Sequence, residues 1–432
     1  MRKILPEKLF KSDIVRNSSI LLSGNVLGQA IALLVYPILT RLFSEGDFGI
    51  LATLTSLTGL LTILGTGRYE EALVIAKNKK ETSLLLGFSL KLLSVFSLLI
   101  LAILFFIRQP ILELLNMEKL EPFWYYIPPI VFISGLLFLL INLAIREKKF
   151  KTIASASLIQ NIANSIIRLI TGFLSFTKIG LVFSYLSSSV ISTFIYSSLR
   201  KFIFESLKGK WSEEKKMAWQ YRDFPCFNVG RIFISSFSLN LPFLLLIGFY
   251  GEVKLGLYSL AFSLLYRPIN LISNSLFSAL FENTASSERE RKPILPVLKK
   301  YWKLLCMYIL PLFAIAFVVA KPLFSFIFGS DWTESGTYFQ YLLPWMFMTM
   351  MASPFNFIPL IFNKQNKALW IEIIYLIIRL ISLYIGIYYS NFQLGILLFS
   401  ITGLILTSIL IIWYYKLTLK YEKEFIAEEK KL

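Results

Sequence analysis

Three arginines lie well inside long apolar stretches, and they are the residues of this sequence best placed to do chemistry. Arg168, Arg267 and Arg379 each fall within a run that is long enough to cross a bilayer as a helix. A guanidinium at that depth costs at least about 2.5 kcal/mol on insertion scales, and the middles of these runs hold no carboxylate. Because guanidinium donates paired hydrogen bonds to phosphate, the arginines predict a water-filled cavity for a phosphorylated anion.

Two interpretations of these arginines stay open. In the first, the ligand of the cavity supplies the missing negative charge. In the second, the arginines only pack between helices, where backbone carbonyls or water satisfy them. Lys91 and Arg231 lie nearer the inner ends of their runs, where a long side chain can also reach the membrane surface. We assign Lys91 and Arg231 to the inner mouth of the same cavity.

Amide side chains recur in several of these runs, together with hydroxyls at three- and four-residue steps, which places them on one face of a helix. Polar residues are costly on faces that meet lipid, so these faces are predicted to point into the bundle. There they either bond neighbouring helices together or line a polar cavity. The amides are Asn25, Gln29, Asn161, Asn164, Asn228, Asn270 and Asn274.

The composition is typical of a helical membrane protein. Of the 432 residues, 56% are hydrophobic and 16% are charged, which is too little polar surface for a soluble protein of this length. The chain has no histidine, which excludes histidine-based catalysis and metal binding. Cys226 and Cys306 are predicted to be buried thiols without a disulfide. With no G-x-x-x-x-G-K-[ST] loop either, we predict neither an enzyme nor a cofactor or metal.

The apolar runs predict about twelve transmembrane helices. They cover residues 17–39, 47–66, 84–107, 124–144, 153–174, 181–199, 225–249, 255–279, 302–320, 338–361, 370–389 and 394–415. With the N-terminus in the cytosol, 33 of the 44 lysines and arginines fall in inner segments and six in outer ones, so both termini are predicted to be cytosolic. The net charge of +18 then faces anionic lipid of the inner leaflet, and nucleic acid is not needed to explain it.

The longest inner loop divides the predicted spans into two groups of six. We predict an N-terminal lobe over 1–200, an inter-lobe linker over 201–224, a C-terminal lobe over 225–415 and a cytosolic tail over 416–432. An even number of spans per lobe allows the lobes to be parallel repeats. The ends of the first and seventh spans, VYPILTRLFSEGDFG and NLPFLLLIGFYGEVKLG, share a proline, a glycine-bearing turn and a final glycine.

Several segments resemble those of polysaccharide repeat-unit flippases of the Wzx type, in the multidrug/oligosaccharidyl-lipid/polysaccharide (MOP) exporter superfamily. YPILTRLFSEGDFGILATL at 36–54 is close to the family's P-x-x-x-R…D-[FY]-G opening, and GTGRYEEALVIA at 65–76 to its R-Y-E-x-A-[IL] stretch. Further matches are LPFLLLIGFYGEVKLGLYSLAFSLLYRP at 241–268, LFSFIFGSDWTESGTYFQYLLP at 323–344 and NKQNKAL at 363–369. The resemblance covers essentially the whole chain.

This resemblance implies a MOP-type fold with two six-helix lobes and transport by alternating access. The implied cargo is an undecaprenyl-pyrophosphate-linked oligosaccharide, flipped to the outer leaflet of the bacterial cytoplasmic membrane, with glycan polymerase machinery as a further partner. The arginines would then hold the pyrophosphate and the amides would contact sugars. Glu70 and Glu71 are the candidates for coupling to an ion gradient, although they also suit ordinary charges at an inner helix end.

Three rival functions differ in features that the sequence displays. A flippase for the peptidoglycan lipid precursor usually has fourteen spans, and no apolar run follows residue 415. A cation-coupled multidrug exporter needs carboxylates in mid-membrane, where this chain has arginines. A membrane polymerase or ligase tends to have a large outer loop, and no predicted outer loop here exceeds about twenty residues.

Overall fold

A computed structural model of the chain describes residues 13–114, 116–289, 293–362 and 364–429, and the regular secondary structure in these ranges is helical. Ten helical segments there are long and apolar enough to cross a membrane. The protein is therefore a multi-pass helical membrane protein, as its composition predicts. Residues 1–12 and 430–432, which belong to the predicted cytosolic termini, lie outside the described residues.

The helices follow one another with short connections. They are α1 (Asp13–Leu42), α2 (Glu45–Thr66), α3 (Tyr69–Ile75), α4 (Lys79–Leu114), α5 (Ile127–Arg146), α6 (Phe150–Phe173), α7 (Thr177–Ile195), α8 (Arg200–Ser206), α9 (Trp211–Gln220), α10 (Val229–Arg289), α11 (Leu295–Leu304), α12 (Leu310–Phe328), α13 (Thr333–Ala352), α14 (Ile358–Ile361), α15 (Gln365–Tyr388) and α16 (Phe392–Glu429). A 3-10 segment, Glu118–Tyr126, precedes α5, and a π-helical turn, Phe224–Asn228, precedes α10.

The predicted spans map onto these helices with two differences. The seventh and eighth spans both lie in α10, whose backbone breaks at Gly251 with φ +78°. The tenth span corresponds to α13, which is not among the ten segments that meet the length and hydropathy of a membrane span within the described ranges. The count of twelve and the cytosolic placement of the termini therefore stay predictions.

The two cysteines differ from their prediction. Cys226 and Cys306 are both exposed, so the expectation of buried thiols is wrong. The physical reason is that an apolar run in a membrane protein has a lipid-facing side, and a side chain on that side is accessible on the isolated chain. Apolar sequence surroundings therefore do not imply burial within the protein.

The chain forms two compact units, residues 1–256 and residues 257–432. In the first unit α1 packs against α6 and α6 against α7, while α5 contacts α2, α3 and α4. In the second unit α13 packs against α12 and α16, and α16 also packs against α15. The predicted division at the linker 201–224 stays a prediction.

A capping box fixes the start of α2 and a left-handed turn fixes its end. At its start, Ser44 and Asp47 form a reciprocal capping box: the Asp47 N–H donates to Ser44 Oγ at 3.3 Å and the Ser44 N–H to Asp47 Oδ2 at 2.9 Å. At its end, Gly67 adopts φ +56° and Arg68 φ +59°, both in the left-handed region. This turn reverses the chain into α3 and places Arg68 at the end of α2.

The two repeated sequence segments meet in the first unit. Gly49 ends the first segment and Gly256 the second. A Cβ on Gly49 would overlap the Glu252 carbonyl oxygen, and a Cβ on Gly256 would overlap the Glu45 carbonyl oxygen. Backbones this close leave no room for a side chain, so glycine is required at both positions. The shared final glycine of the two segments thus has a structural cause.

Candidate functional site

A cavity of about 330 Å³ lies in the first unit, between α2, α5 and the first half of α10. Its walls combine hydroxyl, amide and apolar groups with one guanidinium. The lining residues are Thr55, Ser56, Gly59, Leu60, Ile63, Arg68, Phe138, Ile232, Ser236 and Asn240. Such a surface can form hydrogen bonds with a polar ligand and also pack against its apolar faces.

One face of α10 and the turn before it runs along this cavity. Ile232, Ser236 and Asn240 are spaced four residues apart, and Asn228 continues the same row. At one end Ser56 Oγ donates to Asn240 Oδ1 at 2.9 Å; at the other, Asn228 Nδ2 donates to a Glu71 carboxylate oxygen at 3.1 Å. These two contacts are twelve residues apart on one row, or about 18 Å along a helix, and the cavity lies between them.

Arg68 stands at the Glu71 end of the cavity with two acidic neighbours. Its guanidinium lies 3.1 Å from a Glu70 carboxylate oxygen and donates a hydrogen bond to Glu71. Glu70 is 1% exposed, and this burial raises the pKa of its carboxyl by more than the neighbouring Arg68 lowers it. The structure thus brings the predicted coupling residues, Glu70 and Glu71, into one charged cluster with Arg68 and Asn228.

Arg231 is the predicted cation whose position best suits a ligand. It is exposed on α10, next in sequence to the cavity-lining Ile232. Among the residues whose side chains are described, no carboxylate lies within ion-pair distance of its guanidinium. An anion that entered beside Ile232 could therefore approach Arg231 without displacing an acidic side chain.

Arg168 lies in a polar seam between α6 and α7. It is 6% exposed, and its Nε donates to Ser184 Oγ at 3.4 Å. One turn earlier, Asn164 Nδ2 donates to Ser188 Oγ at 3.0 Å and to the Ser184 carbonyl at 3.2 Å. Gln160 continues the seam with a bond to Ser189 at 3.1 Å. These are the interhelical contacts of the packing interpretation.

Arg379 is enclosed by aromatic rings in the second unit. Its guanidinium carbon lies 4.8 Å from the ring centre of Trp345, and 5.1 Å from those of Tyr375 and Phe399. The side chain is 7% exposed, and the three rings come from α13, α15 and α16. Each ring attracts the cation through its quadrupole, so this cage stabilises a charge that has left water.

Lys91 has a carboxylate partner that the sequence analysis missed. Its ammonium lies 2.7 Å and 2.8 Å from the two carboxylate oxygens of Glu214 and also donates to the Gly209 carbonyl at 3.3 Å. Glu214 is fully buried. Glu214 belongs to α9 in the predicted linker and therefore lies outside the predicted spans. The Lys91 ammonium therefore anchors the linker helix to α4, and its assignment to the mouth of a cavity stays a prediction.

The other predicted residues are spread over both units. On α6, Asn161 donates to the Ser157 carbonyl at 2.8 Å and packs against Gly28 of α1, where Asn25 and Gln29 are half-buried. On α10, Asn274 donates to Asn270 Oδ1 at 2.8 Å, and Arg267 is half-buried. Their roles as sugar or anion contacts stay predictions.

Several lining residues did not appear among the predicted site residues. Arg68 was present in GTGRYEEALVIA, the segment that carried the family resemblance, and Thr55 lies in a run rich in hydroxyls. Ser236 and Asn240 lie on the Asn228 row, which a strict four-residue step from Asn228 identifies. Sequence patterns therefore indicated these residues, but the prediction of the site was based on the arginines in the middle of the spans.

The fold is similar to that of solved transporters of the MOP superfamily. The lipid II flippase MurJ in an inward closed conformation superposes with a TM-score of 0.73 at 15% identity, over 96% of this chain and 91% of that one. An inward-facing multidrug resistance transporter of the MATE family gives 0.67 at 15% identity, over 92% and 99%. A MOP superfamily transporter from Pyrococcus furiosus, described by the reverse polarity of its binding pocket, gives 0.61 at 15% identity, over 95% and 96%.

Within that class the sequence itself identifies the family. The family model described as polysaccharide biosynthesis protein matches residues 38–337. The chain belongs to this family, which confirms the resemblance found in its motifs. No curated protein matches the chain. Family and fold together establish a membrane protein of the polysaccharide biosynthesis family whose fold is similar to that of MOP superfamily transporters.

Proposed function

We propose that the protein flips an undecaprenyl-pyrophosphate-linked oligosaccharide from the inner to the outer leaflet of the bacterial cytoplasmic membrane by alternating access. The observation that carries this proposal is the cavity between α2, α5 and α10. Its hydroxyl and amide groups, from Thr55, Ser56, Ser236 and Asn240, suit the hydroxyl-rich surface of a sugar. Glycan polymerase machinery is the partner that would receive the cargo on the outer side.

In this proposal the basic residues divide into two groups. Arg231, which is exposed, precedes the lining residue Ile232 and has no carboxylate within ion-pair distance among the described side chains, pairs with the pyrophosphate. Arg168, in the polar seam between α6 and α7, and Arg379, in the aromatic cage, stabilise the packing of their helices. Arg267 is retained as a candidate cation of the second unit. Lys91 holds the linker helix through Glu214.

The charged cluster at Arg68 is the proposed coupling point. A raised pKa lets the Glu70 carboxyl take up a proton at a higher pH than an ordinary glutamate does. Protonation removes one of the two negative charges beside the Arg68 guanidinium. The Arg68 guanidinium, which lines the cavity, is then less neutralised, so that proton uptake at Glu70 and anion binding favour one another.

The same cluster argues against the rival multidrug exporter. A binding site for a cationic drug needs a carboxylate that is available to the drug. Here Glu70 and Glu71 lie beside the cavity, but both are paired with Arg68. Among the described lining residues the charged side chain is the Arg68 guanidinium, so none of these residues presents a carboxylate to the cavity.

Two glycines allow a matched test of the cavity. A Cβ on Gly59, which lines the cavity, meets no heavy atom within 4 Å, and the same is true of a Cβ on Gly230, which lies on α10 outside the lining. Both variants, Gly59→Leu and Gly230→Leu, are therefore expected to fold, because leucine has the higher helix propensity. Only the Gly59 variant places its side chain in the cavity.

The test is complementation of a strain from which the gene is deleted. The deletion should cause one lipid-linked glycan to accumulate on the cytosolic leaflet, and Gly230→Leu should restore its export. Gly59→Leu should leave at least about nine tenths of that glycan unexported while membrane abundance stays normal, because it occupies the polar pocket. If no lipid-linked glycan accumulates, or if both leucine variants export equally well, the proposal fails.

A further inference from the structure

The linker helix α9 displays an exposed tryptophan among cations. Trp219 is 68% exposed. Lys215 and Lys216 lie four and three residues before it, so they share its side of the helix. Arg222 follows it by three residues, and the guanidinium carbon of Arg222 lies 4.7 Å from the centre of the Trp219 ring. The three cations are all exposed.

The opposite face of α9 packs against the rest of the first unit, so the orientation of the face that carries Trp219 is fixed. Glu214 and Ala218 are buried, and the Glu214 carboxylate holds the Lys91 ammonium of α4. The Tyr69 hydroxyl donates to the Ala218 carbonyl at 3.2 Å. A buried ion pair and a buried hydrogen bond on one side prevent α9 from rotating about its axis. Trp219 therefore remains turned away from α4.

The positive charge of this face is not neutralised by acids of its own helix. Glu214 pairs with Lys91, and Glu213 lies 3.7 Å from Lys80. Large apolar side chains elsewhere in the same linker are also exposed, including Phe204 at 65% and Trp211 at 55%. Exposed aromatic side chains interleaved with lysine and arginine are typical of helices that lie at the surface of a membrane.

We propose that the outer face of α9, formed by Lys215, Lys216, Trp219 and Arg222, binds the headgroup of an anionic phospholipid of the bilayer, such as phosphatidylglycerol. Tryptophan is enriched at the level of the lipid headgroups, where its ring contacts apolar groups and its N–H can donate a hydrogen bond to water. The lysines attract the phosphate electrostatically. Arg222, held over the ring, has guanidinium donors for the phosphate oxygens.

The experiment measures lipid binding directly and does not depend on the transported cargo. The full-length protein is titrated with phosphatidylglycerol and, separately, with zwitterionic phosphatidylcholine, and bound lipids are counted by native mass spectrometry. The test variant combines Lys215→Gln with Lys216→Gln. The control combines Lys178→Gln with Lys321→Gln, which removes the same charge from two lysines of the predicted outer segments.

The test variant should bind phosphatidylglycerol at least about tenfold more weakly than the wild type, since each surface lysine contributes about 1 kcal/mol to anionic-lipid attraction. The control should change by less than twofold, and neither variant should alter phosphatidylcholine binding or the melting temperature. Trp219→Ala should also weaken phosphatidylglycerol binding. Unchanged binding in the test variant, or an equal loss in the control, overturns the assignment; the face would then suit a different class of partner, such as an acidic protein.

Discussion

Arg379 and Arg231 both occupy apolar stretches of the sequence, yet their surroundings in the folded chain are opposite. Arg379 is 7% exposed inside a cage of three aromatic rings, whereas Arg231 is exposed and precedes Ile232, a lining residue of the polar cavity, by one residue. Arg168 resembles Arg379, because it is 6% exposed and bonds to Ser184 of α7. The difference shows that the depth of an arginine in an apolar run does not indicate its surroundings in the fold. We propose that an arginine already surrounded by protein groups serves packing and that an exposed one serves the ligand.

Removing the caged side chain should produce the largest effect on stability. Arg379→Ala leaves a void among Trp345, Tyr375 and Phe399 and removes three cation–π contacts. We expect the free energy of unfolding to fall by about 3 kcal/mol, as for other large-to-alanine changes in a core. Thermal unfolding of the purified protein in detergent measures this loss.

An apolar replacement separates packing from ligand binding at the same position. Arg379→Met keeps most of the volume and removes the cost of burying a charge, so its melting temperature should stay near or above that of the wild type. Its glycan export should be retained. Loss of export at normal stability would instead assign Arg379 to cargo binding.

Changing the exposed arginine should affect binding rather than stability. Arg231→Gln is expected to weaken the apparent affinity for the glycolipid by about tenfold or more, because a charge-assisted contact with phosphate is lost. The melting temperature should not change, since Arg231 is exposed. Arg231→Lys should recover part of the affinity, because it restores the charge but not the paired hydrogen bonds. Equal affinity in all three proteins would contradict the role of Arg231.

Two asparagines extend the comparison to neutral side chains. Asn164 bonds to serines across the α6–α7 seam, and Asn240 bonds to Ser56 at the cavity wall. Substituting either asparagine by alanine should cost about 1 kcal/mol of stability, the usual contribution of such hydrogen bonds. Only Asn240→Ala should also reduce glycan export at matched membrane abundance. A transport defect in Asn164→Ala would show that the seam is more than a packing contact.

The smallest expected effect is a pH-dependent shift at Glu70. Its pKa in the folded protein is raised above the ordinary 4.5, so the carboxyl adds stability below that ordinary value, and this contribution is lost as the pH rises through the folded pKa. Glu70→Gln imitates the protonated form. It should melt at the wild-type temperature in acid and a few degrees above it at pH 8. A difference that grows toward low pH would contradict the raised pKa.

The class of the protein could be predicted from the sequence because it depends on local patterns. Apolar runs identify membrane helices, and motifs such as GTGRYEEALVIA identify the family. The four-residue row through Asn228, Ser236 and Asn240 was present in the same way, although Asn240 was not selected. The spacing of residues along the sequence therefore predicts which of them share a helix face.

Partners across helices could not be predicted, because they depend on which helices become neighbours. Glu214 lies more than one hundred residues from Lys91 in the sequence, and Trp345 and Phe399 reach Arg379 from two other helices. For this reason the count of charges alone suggested unpaired cations where the fold supplies an acid or aromatic rings. The close contact at Gly49 and Gly256 is likewise a property of two segments brought together.

The central claim is that the cargo anion binds at the exposed arginine and not at the caged one. The most direct test expresses Arg231→Gln and Arg379→Met separately in the deletion strain, at matched membrane abundance, and measures the lipid-linked glycan left on the cytosolic leaflet. Arg231→Gln should accumulate the glycan nearly as the deletion does, while Arg379→Met should export it. Export by Arg231→Gln together with accumulation in Arg379→Met would contradict the account.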